Sequence, residues 1–421
     1  MTGQSLLKSL SRAFLAGEAN SDAVVARLGR MLGRPWRWIG PVARRYSRLF
    51  GGGVRPRQRD VALFLWSQPR LRRTWPKLSV KHWLTGPQRM MPADAAAAWK
   101  VPAIESTAAL AEWLRLSPAE LEWFSDLKGL AREGKLRHYF YRLLPKGRGS
   151  VRLIEAPKPR LKAIQKLILR EILEMIPVHP AVHGFCKGRS ILTFAAPHVG
   201  QSVVLRMDIE DFFPSIAGVR IQTFFRLAGY PETVADLLGG LCTNAVPRTV
   251  GAPAIYGMPH LPQGAPTSPA LANLCAYRLD CRLTGLAEAA GARYTRYADD
   301  LAFSGGDGFA RGVENFLLHV AAIAAEEGFA VNHRKTRVMR RGVRQHLAGL
   351  VTNARVNVLR SDYDLLKATL NNCVRRGPES QNRAGHPDFR RHLEGRVSFV
   401  EQVNPDKGKR LRALLEQIRW P

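Results

Sequence analysis

Tyr294-Thr295-Arg296-Tyr297-Ala298-Asp299-Asp300-Leu301-Ala302-Phe303-Ser304 sets two adjacent acids between two largely apolar runs. That is the pattern of a β-hairpin with Asp299 and Asp300 at its turn. Like charges side by side in a tight turn repel, and a strand-flanked turn gains no stability from the second acid. A divalent cation removes the repulsion. Successive residues of a strand point to opposite faces, so one carboxylate is expected to bind metal directly while its neighbour adjusts the site.

A second stretch answers the first. Residues 203–216 read VVLRMDIEDFFPSI, with Asp208 where the apolar run Val203-Val204-Leu205 leaves the core. A carboxylate there costs desolvation energy unless it is paired or holds a metal. Alone, Asp208 and Asp211 read equally well as helix caps. Taken with Asp299 and Asp300, Asp208 completes three carboxylates suited to two Mg²⁺ ions about 3.5–4 Å apart, which clamp attacking and leaving oxygens. Mn²⁺ is the expected substitute. Magnesium keeps several waters, so few protein ligands suffice.

The composition agrees with a polyanionic partner. The chain has 421 residues, enough for two or three modules, and 64 Lys+Arg against 34 Asp+Glu give a formal charge of +30. Such a surface attracts nucleic acid in a salt-dependent way. Five cysteines form no C-x-x-C pair, which argues against a disulfide framework or structural zinc and fits a reducing cytoplasm. No apolar run approaches the ~20 residues that cross a bilayer, so the expectation is a cytoplasmic protein with no membrane partner.

Residues 1–100 hold 19 Lys/Arg and 4 Asp/Glu, interleaved with Trp36, Trp38, Trp66, Trp75 and Trp83. Apolar spacing predicts a helix over 22–32, and Gly51–Gly53 with the prolines around it break the chain. Arginine and tryptophan together suit phosphate contact plus base stacking. The bland alternative is that most of these tryptophans form the core of a small helical appendage. After a linker at 85–92, Ser106 and the capping box Ser117-Pro118-Ala119-Glu120 start helices. Strands are expected over 139–144 and 151–154, joined by the basic tip Lys146-Gly147-Arg148-Gly149. Helices follow over 160–176, and near the end over 362–373 and 407–418.

On these residues the sequence resembles the reverse transcriptases. Tyr297-Ala298-Asp299-Asp300 looks like their Y-x-D-D box, and Asp208-x-x-x-Phe212-Phe213 like their first catalytic motif. Between them, Leu261-Pro262-Gln263-Gly264-Ala265-Pro266-Thr267-Ser268-Pro269 resembles L-P-Q-G-x-x-x-S-P. Three motifs in register make accident improbable. His183-Gly184-Phe185-Cys186-Lys187-Gly188-Arg189-Ser190-Ile191 is similar to a segment of bacterial retron enzymes, most like the myxobacterial type with an N-terminal extension. Two departures stand beside it: Phe194 replaces the asparagine of N-A-x-x-H, keeping Ala195 and His198, and Leu347-Ala348-Gly349 keeps only the glycine of V-T-G.

The resemblance implies an α+β fold: a right-hand polymerase with fingers, an antiparallel-sheet palm and a helical thumb, plus a basic N-terminal extension. The expected limits are 1–100 for the extension, 101–345 for fingers and palm, and 346–421 for the thumb. It implies RNA-directed DNA synthesis from a structured non-coding RNA, with the DNA copy and dNTPs as further partners and an accessory effector in anti-phage defence. Group II intron-like, diversity-generating and CRISPR-associated enzymes are the alternatives. Catalytic roles fall on Asp208, Asp299, Asp300 and Lys335, the lysine as general acid toward pyrophosphate. Lys146, Arg152, Phe213, Gln263 and Gly264 are expected around the nucleotide, Phe213 as the gate against a 2′-OH. Arg375, Arg376, Arg390, Arg391 and Arg396 are expected to face RNA.

Overall fold

The computed structural model describes residues 3–51, 56–82, 89–130, 136–145 and 151–420. Trp83, Lys146 and the rest of the basic tip lie outside the described residues. Helices and antiparallel strands combine into an α+β architecture, and the chain forms two compact units.

The first unit comprises Met1–Pro177 and Phe213–Cys275. It begins with the helices Gly3–Leu15, Ser21–Leu32, Ile39–Phe50 and Gln58–Trp66, followed by a short Pro69–Thr74 turn of helix. Asn20 caps the second of these, its side chain accepting from the Ala23 amide. Their apolar stripes close over a core of their own, with Phe14, Leu28, Trp38, Tyr46 and Leu65 buried and Phe14 edge-on to Tyr46 at 4.9 Å. The tryptophans divide: Trp38 is core, Trp36 packs beside it, and Trp66 stays 49% exposed.

The chain then runs along the fingers. Met91 N donates to Gly229 O (2.8 Å) and Ala93 N to Leu227 O (3.0 Å), while Trp99 stacks on Phe224. The stretch from Met91 to Trp99 is thus packed, while residues 85–88 of the expected linker at 85–92 lie outside the described residues. Ser106 and Ser117 cap Thr107–Leu114 and Pro118–Ser125 as their sequence signals require. Strands β1 (Tyr139–Pro145) and β2 (Val151–Pro157) pair antiparallel, and Pro159–Glu171 returns to helix. That helix stops five residues short of the expected 176, giving way to a 3₁₀ turn at Leu173–Met175.

The second unit comprises Val178–Phe212 and Ala276–Pro421. Its sheet is built on β3 (Val203–Glu210), with β5 (Asp300–Gly305) on one side and β4 (Ala292–Tyr297) beyond it. Two short strands share the other edge of β3: β6 (Ala330–Val331) beside Ile209 and Glu210, and β7 (Arg337–Arg340) beside Val203–Arg206. Val203, Val204, Leu205 and Met207 are fully buried, which accounts for the unbroken apolar run where strict alternation would put polar residues. A small sheet of β8 (His346–Leu347), β9 (Leu350–Val351) and β10 (Asn357–Val358) follows. Helices Arg360–Arg376, Phe389–Val403 and Pro405–Glu416 then pack on Leu366, Leu370, Val397 and Leu411.

Candidate active site

β3 and β5 are in register with Asp208 opposite Asp300, so the first acid of the sequence and the paired acids meet on neighbouring strands. The turn between β4 and β5 is two residues long, Ala298-Asp299, closed by the Tyr297–Asp300 pair. Ala298 sits at φ +56°, a left-handed conformation that costs an alanine on the order of 1 kcal/mol and persists only when its surroundings hold it. Three contacts do so. Ile209 N donates to Asp299 O (2.9 Å), tying the turn to β3. Arg296 Nη1 donates to Ala298 O (3.0 Å). Gly184 lies so close that a Cβ there would stand 2.6 Å from Ala298 N, so this glycine admits the turn.

Arg296 is itself fixed. It is fully buried and grips Asp280 with two hydrogen bonds of 2.7 Å, Asp280 being equally buried. Such a pair strengthens geometry rather than stability. The retron-like segment borders the same strand: His183 N donates to Arg296 O, and Arg296 N to Ala181 O. Arg189 closes that loop by donating to the carbonyls of His179, Pro180 and Val182.

The carboxylates then separate by role. Lys335 Nζ donates to both oxygens of Asp208, at 2.8 and 3.1 Å. Asp299 lies beside them: burial first, then the charge of Asp208 and more weakly that of Asp300, push its carboxyl above the ordinary range, against an opposing pull from Lys335. Asp300 differs. Its Oδ1 accepts from Arg206 Nε and Nη2 at 3.0 and 2.8 Å. Among the described residues no cluster of three or more His, Cys, Asp or Glu is poised around a common metal position. Asp208 and Asp299 are two hard oxygen donors of the kind Mg²⁺ favours, and a cation would relieve their mutual repulsion. Asp300, expected as a third ligand, is oriented by Arg206 through Oδ1. That guanidinium lies two residues before Asp208, on the same face of β3.

His198 stands behind the hairpin, fully buried between Ser304 Oγ and Thr295 Oγ1, both at 2.7 Å. Thr295 spends its own proton on Phe194 O, so His198 donates through Nε2 and accepts at Nδ1 as a neutral ring. Burial drops its pKa to about 3. Phe194, which replaces the family asparagine, is buried against Tyr297.

The nucleotide-side residues belong to the first unit. Gln263 O accepts from Glu155 N (2.8 Å), and Gly264 at φ +132° leaves no room for a Cβ, which would meet Glu155 O at 2.9 Å. Glu155 is fully buried, with one oxygen 2.9 Å from His260 Nε2 and the other accepting from Asn244. Phe213 is half-buried and Arg152 exposed on β2. Lys146 lies outside the described residues. In the C-terminal helices, Arg375, Arg376, Arg390 and Arg391 are exposed and Arg396 half-buried; Arg390 pairs with Glu394 and Arg391 with Asp388.

Arg206, Asp280, Arg296, Glu155 and His260 were not among the expected site residues. For Arg206 and Arg296 a signal existed: each is a cation inside a strand, next to buried residues and close to an acid of the motif. Asp280, Glu155 and His260 carry none, because their partners are remote in sequence.

A strand-end aspartate set beside a two-residue acidic turn on an antiparallel sheet defines the palm of a template-directed polymerase. The family described as "Reverse transcriptase (RNA-dependent DNA polymerase)" matches residues 144–362, and the chain belongs to it. The retron Mx65 reverse transcriptase of Myxococcus xanthus is 43% identical over 282 residues, 66% of this chain and 64% of that protein. The retron Mx162 reverse transcriptase of the same organism is 37% identical, covering 75% of this chain and 67% of that one. The retron Ec86 reverse transcriptase of Escherichia coli is 31% identical, covering 69% and 84%. The match to the Mx65 enzyme thus spans just under two thirds of its length.

Proposed function

We infer that the chain is an RNA-directed DNA polymerase of a retron, copying part of a structured non-coding RNA into single-stranded DNA for anti-phage defence. The observation that carries this is the Asp208–Asp299–Lys335 constellation on a palm sheet, in a chain 43% identical to a retron enzyme. Asp208 and Asp299 would hold Mg²⁺, which when bound lowers the pKa of the attacking hydroxyl and offsets charge on the leaving diphosphate. Lys335 supplies a proton toward that diphosphate. Asp300, oriented by Arg206, completes the proposed set of carboxylates.

By resemblance, Gln263, Gly264, Arg152 and Lys146 contact the incoming dNTP, and Phe213 excludes a ribose 2′-OH. Arg375, Arg376, Arg390, Arg391 and Arg396 are the thumb cations that suit RNA, Arg390 and Arg391 also sharing local acids. The proposed limits remain 1–100, 101–345 and 346–421. An effector protein is a further proposed partner. Five free thiols suit a reducing cytoplasm. Among the described residues, no helix is long and apolar enough to cross a membrane.

The test is primer extension by the purified chain on an RNA template with dNTPs and Mg²⁺. Labelled DNA that depends on the RNA template supports the reading, and no product under any divalent cation contradicts it. Replacing dNTPs with rNTPs in the same assay reads the gate.

A further inference from the structure

We propose that one face of the N-terminal helical core, formed by residues 66–77 and the adjoining Ile39–Phe50 helix, docks the structured RNA outside the polymerase site. The proposal rests on the polymerase reading only in naming that RNA as the template-bearing one. Residues 66–77 read WSQPRLRRTWPK, with Arg70, Arg72, Arg73 and Lys77 all exposed and no acid among them. Gln68 Oε1 lies 3.5 Å from Arg45 Nη1, which joins this segment to Arg44, Arg45 and Arg48, also exposed.

None of these seven cations enters an ion pair of the described residues. The C-terminal helices differ: Arg360, Arg390, Arg391 and Arg412 each sit beside a carboxylate. Uncompensated like charges on one face repel, and the buried core beneath does not require them. A polyanion removes the cost. Arginine's planar fork matches phosphate, which favours a nucleic-acid backbone over an acidic protein, whose docking surfaces are depleted in charge at their centre.

The aromatic content points the same way. Trp66 is 49% exposed, with the Arg72 guanidinium 5.2 Å over its ring and Trp75 edge-on at 5.7 Å. Arg72 Nε donates to Trp66 O (2.6 Å), so the cation is held over the ring. A fixed aromatic face bordered by guanidinium groups accepts an unpaired base, while the surrounding cations follow the backbone of a helix read by shape. A stem–loop RNA with a single-stranded tail offers both.

The test uses the full chain and such a stem–loop RNA of defined sequence, titrated across a salt series. Arg70→Gln/Arg72→Gln/Arg73→Gln should weaken binding roughly tenfold or more at low salt and flatten log K against log salt by about 2. Trp66→Ala alone should cost roughly fivefold or more with little change of slope. Arg44→Gln/Arg48→Gln, on the neighbouring helix, should flatten the slope by about 1.5 and guards against a folding defect in the triple variant. Extension of a pre-annealed primer–template at saturating concentration should be unchanged in all of them, and its failure in the wild type would count against the polymerase reading alone. Unchanged RNA affinity and slope in both charge variants overturn the proposal. So does loss of binding to anionic phosphatidylglycerol vesicles, or to a protein partner, with RNA affinity intact.

Discussion

Lys335 Nζ stands 2.8 Å from Asp208 Oδ1, a half-exposed ammonium on a buried carboxylate. Asn332 N donates to Asp208 O, and Lys335 N to Asn332 O, so the loop carrying the lysine is fastened to the same residue it pairs with. The ammonium holds a place that a cation on Asp208 would share.

Lys335→Gln should therefore have two opposed effects. The turnover number should fall by about a hundredfold or more, the usual loss when a general acid is removed. The Mg²⁺ concentration at half-maximal rate should also fall, because a competitor for Asp208 has gone. A metal titration of primer extension reads both. An unchanged turnover number would assign Lys335 a structural role only.

Arg296 and Asp280 form a buried pair whose loss on one side leaves a bare charge. Arg296→Met should destabilise the fold by about 3–5 kcal/mol, read from a denaturant midpoint. Arg296→Met with Asp280→Leu should recover most of that stability, since apolar replacements of buried pairs are often neutral. It should not recover the rate, because no donor would then reach Ala298 O to hold the Asp299 turn. Full recovery of rate would show that the turn needs no such anchor.

These residues show where the sequence was informative. The hairpin, the strand ending in Asp208, the capped helices and two of the C-terminal helices follow from local periodicity and turn chemistry, and each formed within a few residues of expectation, while Phe389–Val403 was not expected. Asp208, Asp299 and Lys335 came together because three motifs in order constrain one another. The division between Asp299 and Asp300 was legible only as alternation. Which carboxylate Arg206 would take depends on strand register, and that is set by the whole sheet. The packing of residues 91–102 against the fingers was hidden for a similar reason, being carried by backbone hydrogen bonds and by single contacts such as Trp99 on Phe224.

His198 makes stability depend on pH. Its ring is neutral in the fold with a pKa near 3, against an ordinary 6.5 in the unfolded chain. The unfolded state thus takes up the proton first, so this contribution is full above about pH 6.5 and is lost as pH falls toward 3. Between pH 7 and pH 5 the loss should be about 2 kcal/mol. His198→Gln should be less stable than wild type at pH 7, with the gap narrowing by that amount at pH 5. A gap independent of pH would mean that the ring titrates alike in the folded and unfolded chain.

Asp208 and Asp299 are proposed together to hold the cation for nucleotide addition. Single-turnover addition of one dNTP to a primer annealed on RNA, comparing wild type with Asp299→Asn, tests this most directly. The substitution keeps size and polarity and removes one hard anionic ligand, so the account predicts a rate lower by about a thousandfold, equivalent to about 4 kcal/mol of barrier. Primer–template affinity should change less than about threefold, since it comes from dispersed cations. A rate within tenfold of wild type at the same affinity would contradict the assignment.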